Sequence, residues 1–190
     1  FEKAHFPVGY DLGNSGTAPS QNLIDAYEMS NGGNFDWNNP THAANPYSNR
    51  DPRFAQSILV NNTTFQGRKV EAYIGGRDGK GVPHASKTGY YLLKYVDSSL
   101  DLVQNKTSIH TWVLFRFAEM YLNYAEATSN YYGDIETSLP DANLRPRVAM
   151  NRIRNRVPMP TISTSTNFSD FQERIKRERR IELAFEDHRL

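Results

Sequence analysis

From Thr111 onward, apolar and polar positions recur with a helical period. In residues 116–127 the polar residues Arg116, Glu119, Asn123 and Glu126 are spaced by 3, 4 and 3, which places them on one stripe of a helix. The rest of that surface is Phe117, Ala118, Met120, Tyr121, Leu122, Tyr124 and Ala125. A helix so apolar is predicted to be sandwiched between neighbours, as in stacked helix pairs. A second helix is predicted from about Leu144 to Val157, with Val148, Ala149 and Ile153 inward and Pro158 and Pro160 closing it. A third opens at Ser169, which with Gln172 reads as a capping box, and is predicted to run at least to Leu190.

The first half is patterned differently. Residues 1–50 are rich in Gly, Asn and Ser and read as loop, interrupted by one short helix at 21–29 whose Leu23, Ile24 and Tyr27 share a face. The run from Asn31 to Pro40 is turn-forming and carries Phe35 and Trp37; loop character continues through Tyr47. Residues 51–97 read as a small β element, with strands predicted at Arg53–Val60, Lys69–Ile74 and Tyr90–Val96. Gly75 to Gly81 between them reads as a flexible loop. The whole is therefore expected to be one mainly α region over 1–190, with 111–190 as its helical scaffold.

Composition narrows the function classes. Net charge is +1, from 22 basic and 21 acidic residues, so no electrostatic footprint for nucleic acid is present. Cysteine is absent, which removes disulfides, thiolate zinc sites and a thiol nucleophile from these residues. The five histidines, at 5, 42, 84, 110 and 188, lack metal-ligand spacing, and no cofactor is implied. No run approaches the roughly 20 apolar residues that span a bilayer. The chain opens at Phe1 and stops at Leu190 inside a predicted helix, so both ends read as cut. Aromatic content is 12%, which suits ligands with flat or apolar faces.

Six segments, in order, carry a family resemblance. They are PSQNLIDAYE at 19–28, DPRF at 51–54, TGYY with KYV at 88–96, WVLFRFAEMYLNYAEA at 112–127, NRIRNR at 151–156 and ERRIELAFEDHR at 178–189. In this order they resemble the SusD/RagB nutrient-binding lipoproteins of Bacteroidota. The resemblance implies a SusD-like fold of tetratricopeptide-type helix pairs with long loops and a small β-hairpin or sheet. It implies a polysaccharide-utilisation protein on the extracellular face of the outer membrane. Such a protein captures oligosaccharide or polysaccharide for a TonB-dependent, SusC-like transporter. Membrane attachment would come only through a lipid anchor on an N-terminal region outside this sequence. Peptide binding or a structural surface role on the same fold are the alternatives, and glycoside hydrolysis comes last.

No residue is assigned catalysis. Glu119 and Glu126, seven apart, would sit about 10.5 Å apart along a helix axis, beyond the roughly 5–9.5 Å that glycosidases use. Gly75–Lys80 is one residue short of a phosphate loop. The sharpest candidate is the loop aromatic set Phe35, Trp37 and Tyr47, with Tyr10 behind it. Sugars present an apolar C–H face to such rings, and Asn38 and its polar neighbours can bond hydroxyls at the ring edge. Trp37 either meets a ligand or anchors its own loop. Trp112, in an apolar run, reads as core. Glu178 and Glu182 share a face with Phe171, Ile175 and Phe185, and are expected to be buried against arginines such as Arg116 or Arg152.

Overall fold

The computed structural model describes residues 1–137 and 141–187. The chain is mainly helical with two small antiparallel sheets, and forms two compact units: residues 1–24 with 54–112, and residues 25–53 with 113–190. Short helices α1 (Glu2–His5) and α2 (Gln21–Ala26) precede α3 (Pro40–Ala44) and α4 (Pro52–Ser57). The predicted strand at Arg53–Val60 is mostly α4. Asp51 accepts the Arg53 backbone N–H, and Pro52 takes the first helical position, where its missing N–H is not needed.

In the first unit, β1 (Ile58–Leu59) pairs antiparallel with β4 (Tyr91–Leu92), while β2 (Thr64–Phe65) pairs with β3 (Arg68–Lys69). The second pair is a hairpin whose turn residues Gln66 and Gly67 both have positive φ, 44° and 78°, the geometry that matches the twist of paired strands. The predicted strands at Lys69–Ile74 and Tyr90–Val96 shrink to two-residue pieces. Backbone groups beyond them turn toward side chains instead, as where Glu71 N–H donates to Asp78. Phe6, Tyr10, Leu59, Phe65, Val70 and Tyr91 form the core. Phe65 meets both Phe6 and Tyr10 edge-on.

The Gly75–Gly81 segment is not the free loop its glycines suggest. Asp78 is buried within it. Its carboxylate accepts from Gly9 N–H, Glu71 N–H and both terminal nitrogens of Arg68, and its carbonyl accepts from the Tyr91 hydroxyl. Gly79 lies so close to the Tyr73 carbonyl that a Cβ would overlap it. The glycines permit close approach here rather than motion.

In the second unit, α5 (Phe117–Tyr132), α6 (Pro146–Arg156) and α7 (Phe168–Glu182) surround a core of Leu122, Ala125, Met150, Ile153, Phe171 and Ile175. Helix α5 is longer than predicted and closes on left-handed Gly133. It is not sandwiched among the described residues: Phe117 is 78% exposed and Met120 is also exposed. Its polar stripe is what meets α7. Arg116 bonds Glu182 and Glu186, while Arg179 reaches back to Asn123 and Glu126. Helix α6 matches its prediction closely, with Ala149 and Ile153 buried and Val148 half-buried.

Helix α7 differs at both ends. Its cap is Asn167, whose Oδ1 accepts the Asp170 N–H at 2.8 Å; Gln172 instead donates to Ser129 on α5. It ends at Glu182, where Arg116 Nη2 donates to the Glu182 carbonyl, and Phe185 and Asp187 take positive φ. Both residues are in a conformation that a continuing right-handed helix excludes. The predicted extension over 188–190 lies outside the described residues.

Candidate functional site

The aromatic loop belongs to the second unit and is closed at its base. Ser30 N–H donates to Asn49, Asp51 N–H to Glu28, and Met29 and Arg50 form a β-bridge. Inside this frame the Asn and Asp side chains satisfy backbone donors. Asn31 Oδ1 accepts from Gly33, Asp36 Oδ1 from Asn38, and Asn39 Oδ1 caps α3 at Thr41 and His42. These local bonds hold a segment that has little core of its own.

Phe35 is the hub. The Arg50 guanidinium lies 4.1 Å over its ring, His42 stacks on it at 5.5 Å, and Trp37 meets it at 4.9 Å and 82°. Arg50 is buried and donates to the carbonyls of Tyr27 and Pro46, so its charge is fixed beneath the ring. Trp37 donates its indole N–H to Asp25 Oδ1 at 3.0 Å and remains 45% exposed. An edge-to-face pair covers at most one face of one ring, so Phe35 leaves an indole face uncovered. Trp37 thus anchors its loop by its N–H and still presents aromatic surface.

Of the other expected residues, Asn38 lies beside Trp37 and gives one amide hydrogen to Asp36. Tyr47 is half-buried in the same loop, after α3. Tyr10 is in the first unit and only 7% exposed. Its hydroxyl donates to the Phe65 carbonyl, and the Arg68 guanidinium lies 3.5 Å over its ring. Burial pushes its pKa up to about 12 against the opposing charge of Arg68. Tyr10 therefore serves that unit's core. Trp112, expected in a core, is 60% exposed. Its apolar neighbours Leu114 and Phe115 are exposed as well, so an apolar run here does not mark burial.

A second cluster was only half visible in the pattern. Arg154 is buried between Glu178 at 2.9 Å and Glu28 at 2.7 Å. Arg53 forks onto Asp51 and reaches Glu178 at 2.6 Å and Glu182 at 2.8 Å. Glu182 also receives Arg116 and Arg156. Burial opposes its charge, but the hydrogen bonds from Arg116 and Arg53 hold its carboxyl below the usual range. Arg152, the other partner expected, instead donates to the Tyr121 hydroxyl. The spacing of Glu178 and Glu182 announced buried acids on α7; Arg53, Arg154 and Glu28 gave no local signal. The residues of this cluster come from five of the six segments that carry the family resemblance, so those motifs are chiefly scaffold. Glu119 is buried, and Glu126 pairs with Arg179.

The model of the SusD family matches residues 4–190. A SusD-like protein from Bacteroides fragilis superposes with a TM-score of 0.75 at 32% identity, covering 93% of this chain and 35% of that one. A SusD-like carbohydrate-binding protein from the same organism gives 0.76 at 25% identity, covering 97% and 36%. The chain thus spans about a third of the length of these solved structures. No curated protein matches it at comparable significance.

Proposed function

The chain belongs to the SusD family, and from that premise we propose that it contributes a glycan-binding surface to a cell-surface nutrient-capture protein. The carrying observation is Trp37. It is an exposed indole whose N–H is tied to Asp25 and whose ring rests against Phe35. A ring held this way loses little freedom when a sugar face stacks on it, which reduces the entropic cost of binding. Asn38 at its edge, and Tyr47 in the same loop, are the further contacts we assign. Function is capture and hand-over. The carbohydrate-binding relative from Bacteroides fragilis supports the ligand class. A TonB-dependent, SusC-like transporter and an extracellular outer-membrane location complete the proposal. No helix among the described residues is long and apolar enough to cross a membrane.

The test is affinity electrophoresis of the full-length protein in gels containing starch, xyloglucan, mannan and other polysaccharides. Retardation by one of them is expected, with loss in Trp37→Ala and an unchanged melting temperature. Retardation by none, or a variant that loses melting temperature in step with affinity, overturns the proposal.

A further inference from the structure

Helix α5 carries two lines of residues on opposite sides. Along the first, Leu122 and Ala125 are fully buried in the core shared with α6 and α7, and Ser129 accepts from Gln172 of α7. The second runs through Phe117, Met120, Tyr124, Ala127 and Tyr131, at spacings of 3, 4, 3 and 4. That repeat keeps one stripe of a helix facing a second helix. At about 100° per residue, it lies opposite the buried line. Phe117, Met120, Ala127 and Tyr131 are exposed, Tyr131 at 83%, and Tyr124 is half-buried. We propose that this line is the seat of a helix from the part of the full-length protein outside residues 1–190, which encloses α5 on its second side.

Chemistry and shape both point to a helix. The solvent face of a surface helix ordinarily carries charge. The charged residues of α5 are Glu119 and Glu126, and both lie off this line: Glu119 is buried and Glu126 pairs with Arg179 of α7. Tyr121 beside the line accepts from Arg152, and Tyr124 on it donates to the Leu144 carbonyl. At these two positions a covering element therefore meets ring carbon rather than an unbonded hydroxyl. Ala127 leaves a notch between Tyr124 and Tyr131, about one turn to either side, of the kind a side chain of a facing helix enters. The occupant accordingly carries apolar residues at the same spacing and turns no acid or base onto α5, where burial would strand it.

Size decides whose helix it is. From Phe117 to Tyr131 the line is about 21 Å long and, at about the 10 Å width of one helix, presents roughly 200 Å². Separate molecules that associate stably bury about 800 Å² each, so this line by itself is too small to hold a second copy or another protein. A helix of the same chain is spared most of the entropy cost of association. Chain length supplies one: the match covers 35% and 36% of the two solved relatives, so most of such a protein lies outside it.

The test is peroxide oxidation of the native full-length protein, read by peptide mass spectrometry, because exposed methionines oxidise and buried ones resist. Met120 is exposed within residues 1–190, whereas Met150 is fully buried. In the full-length protein Met120 is expected to oxidise as slowly as Met150. Oxidation of Met120 at the rate it shows in the urea-unfolded protein overturns the inference, and so does protection that disappears on dilution, which would assign the line to a second copy. A pair of variants gives an independent readout. Ala127→Arg should lower the melting temperature of the full-length protein or prevent its folding. Asn130→Arg, exposed on the same helix but off the line, should leave the melting temperature unchanged. Equal melting temperatures for the two variants overturn the inference as well.

Discussion

A guanidinium at 2% exposure, as at Arg154, is sustained only by the groups around it. Removing one partner of a buried ion pair leaves the other charged, dry and uncompensated, at a cost of about 3–5 kcal/mol. Arg154→Ala should destabilise the protein by that order, because Glu28 keeps only longer contacts to Arg177 and Arg174 and Glu178 is left to Arg53 alone; urea unfolding measures it. Glu182→Ala releases Arg53, Arg116 and Arg156 at once and should lower the melting temperature by several degrees. A change within a degree or two would show that the neighbouring acids take over its role. Trp37→Ala should behave in the opposite way, losing ligand and keeping stability, since what it gives up is one exposed hydrogen bond and half-exposed ring area. These two residue classes were legible in unequal measure. Trp37 stands in a turn-forming run where no helix or strand pattern absorbs it. Arg154 sits in a basic helix, and nothing in its neighbourhood separates it from Arg152, which bonds an exposed tyrosine hydroxyl instead.

Among the elements, period decided type well and ends poorly. Helix α6 is framed by prolines, which act locally, and its prediction was close. The ends of α7 depend on side chains from elsewhere and moved at both. Its cap can be tested directly. Asn167→Ala should cost about 1 kcal/mol, whereas Ser169→Ala should be near neutral, because only Asn167 accepts a helix N–H. Thermal unfolding of the pair distinguishes the observed cap from the capping box that the sequence suggests. The Asp78 loop makes the same point in the first unit. Gly79→Ala should disrupt the turn at the Tyr73 carbonyl, which proteolysis of the folded protein would detect as new cleavage near residues 73–80.

At the scale of the whole molecule, the buried carboxylates predict how stability follows pH. Glu182 has a carboxyl held below its ordinary range, so the folded state binds its proton less readily than the unfolded state. Its contribution is present above the unfolded pKa of about 4.3 and is lost as pH falls through the lower folded value. Stability should therefore drop steeply below about pH 4, and a Glu182→Gln variant should show a shallower acid limb in pH-dependent unfolding. The family, the mainly helical class and the aromatic loop were legible in the order of motifs, in period and in turn chemistry, all properties of neighbouring residues. Folding was needed to show that Tyr10 is core while Trp112 is exposed, that the polar stripe of α5 faces α7, and which arginines are buried. Burial and pairing depend on what arrives from distant parts of the chain, and local pattern does not carry that information.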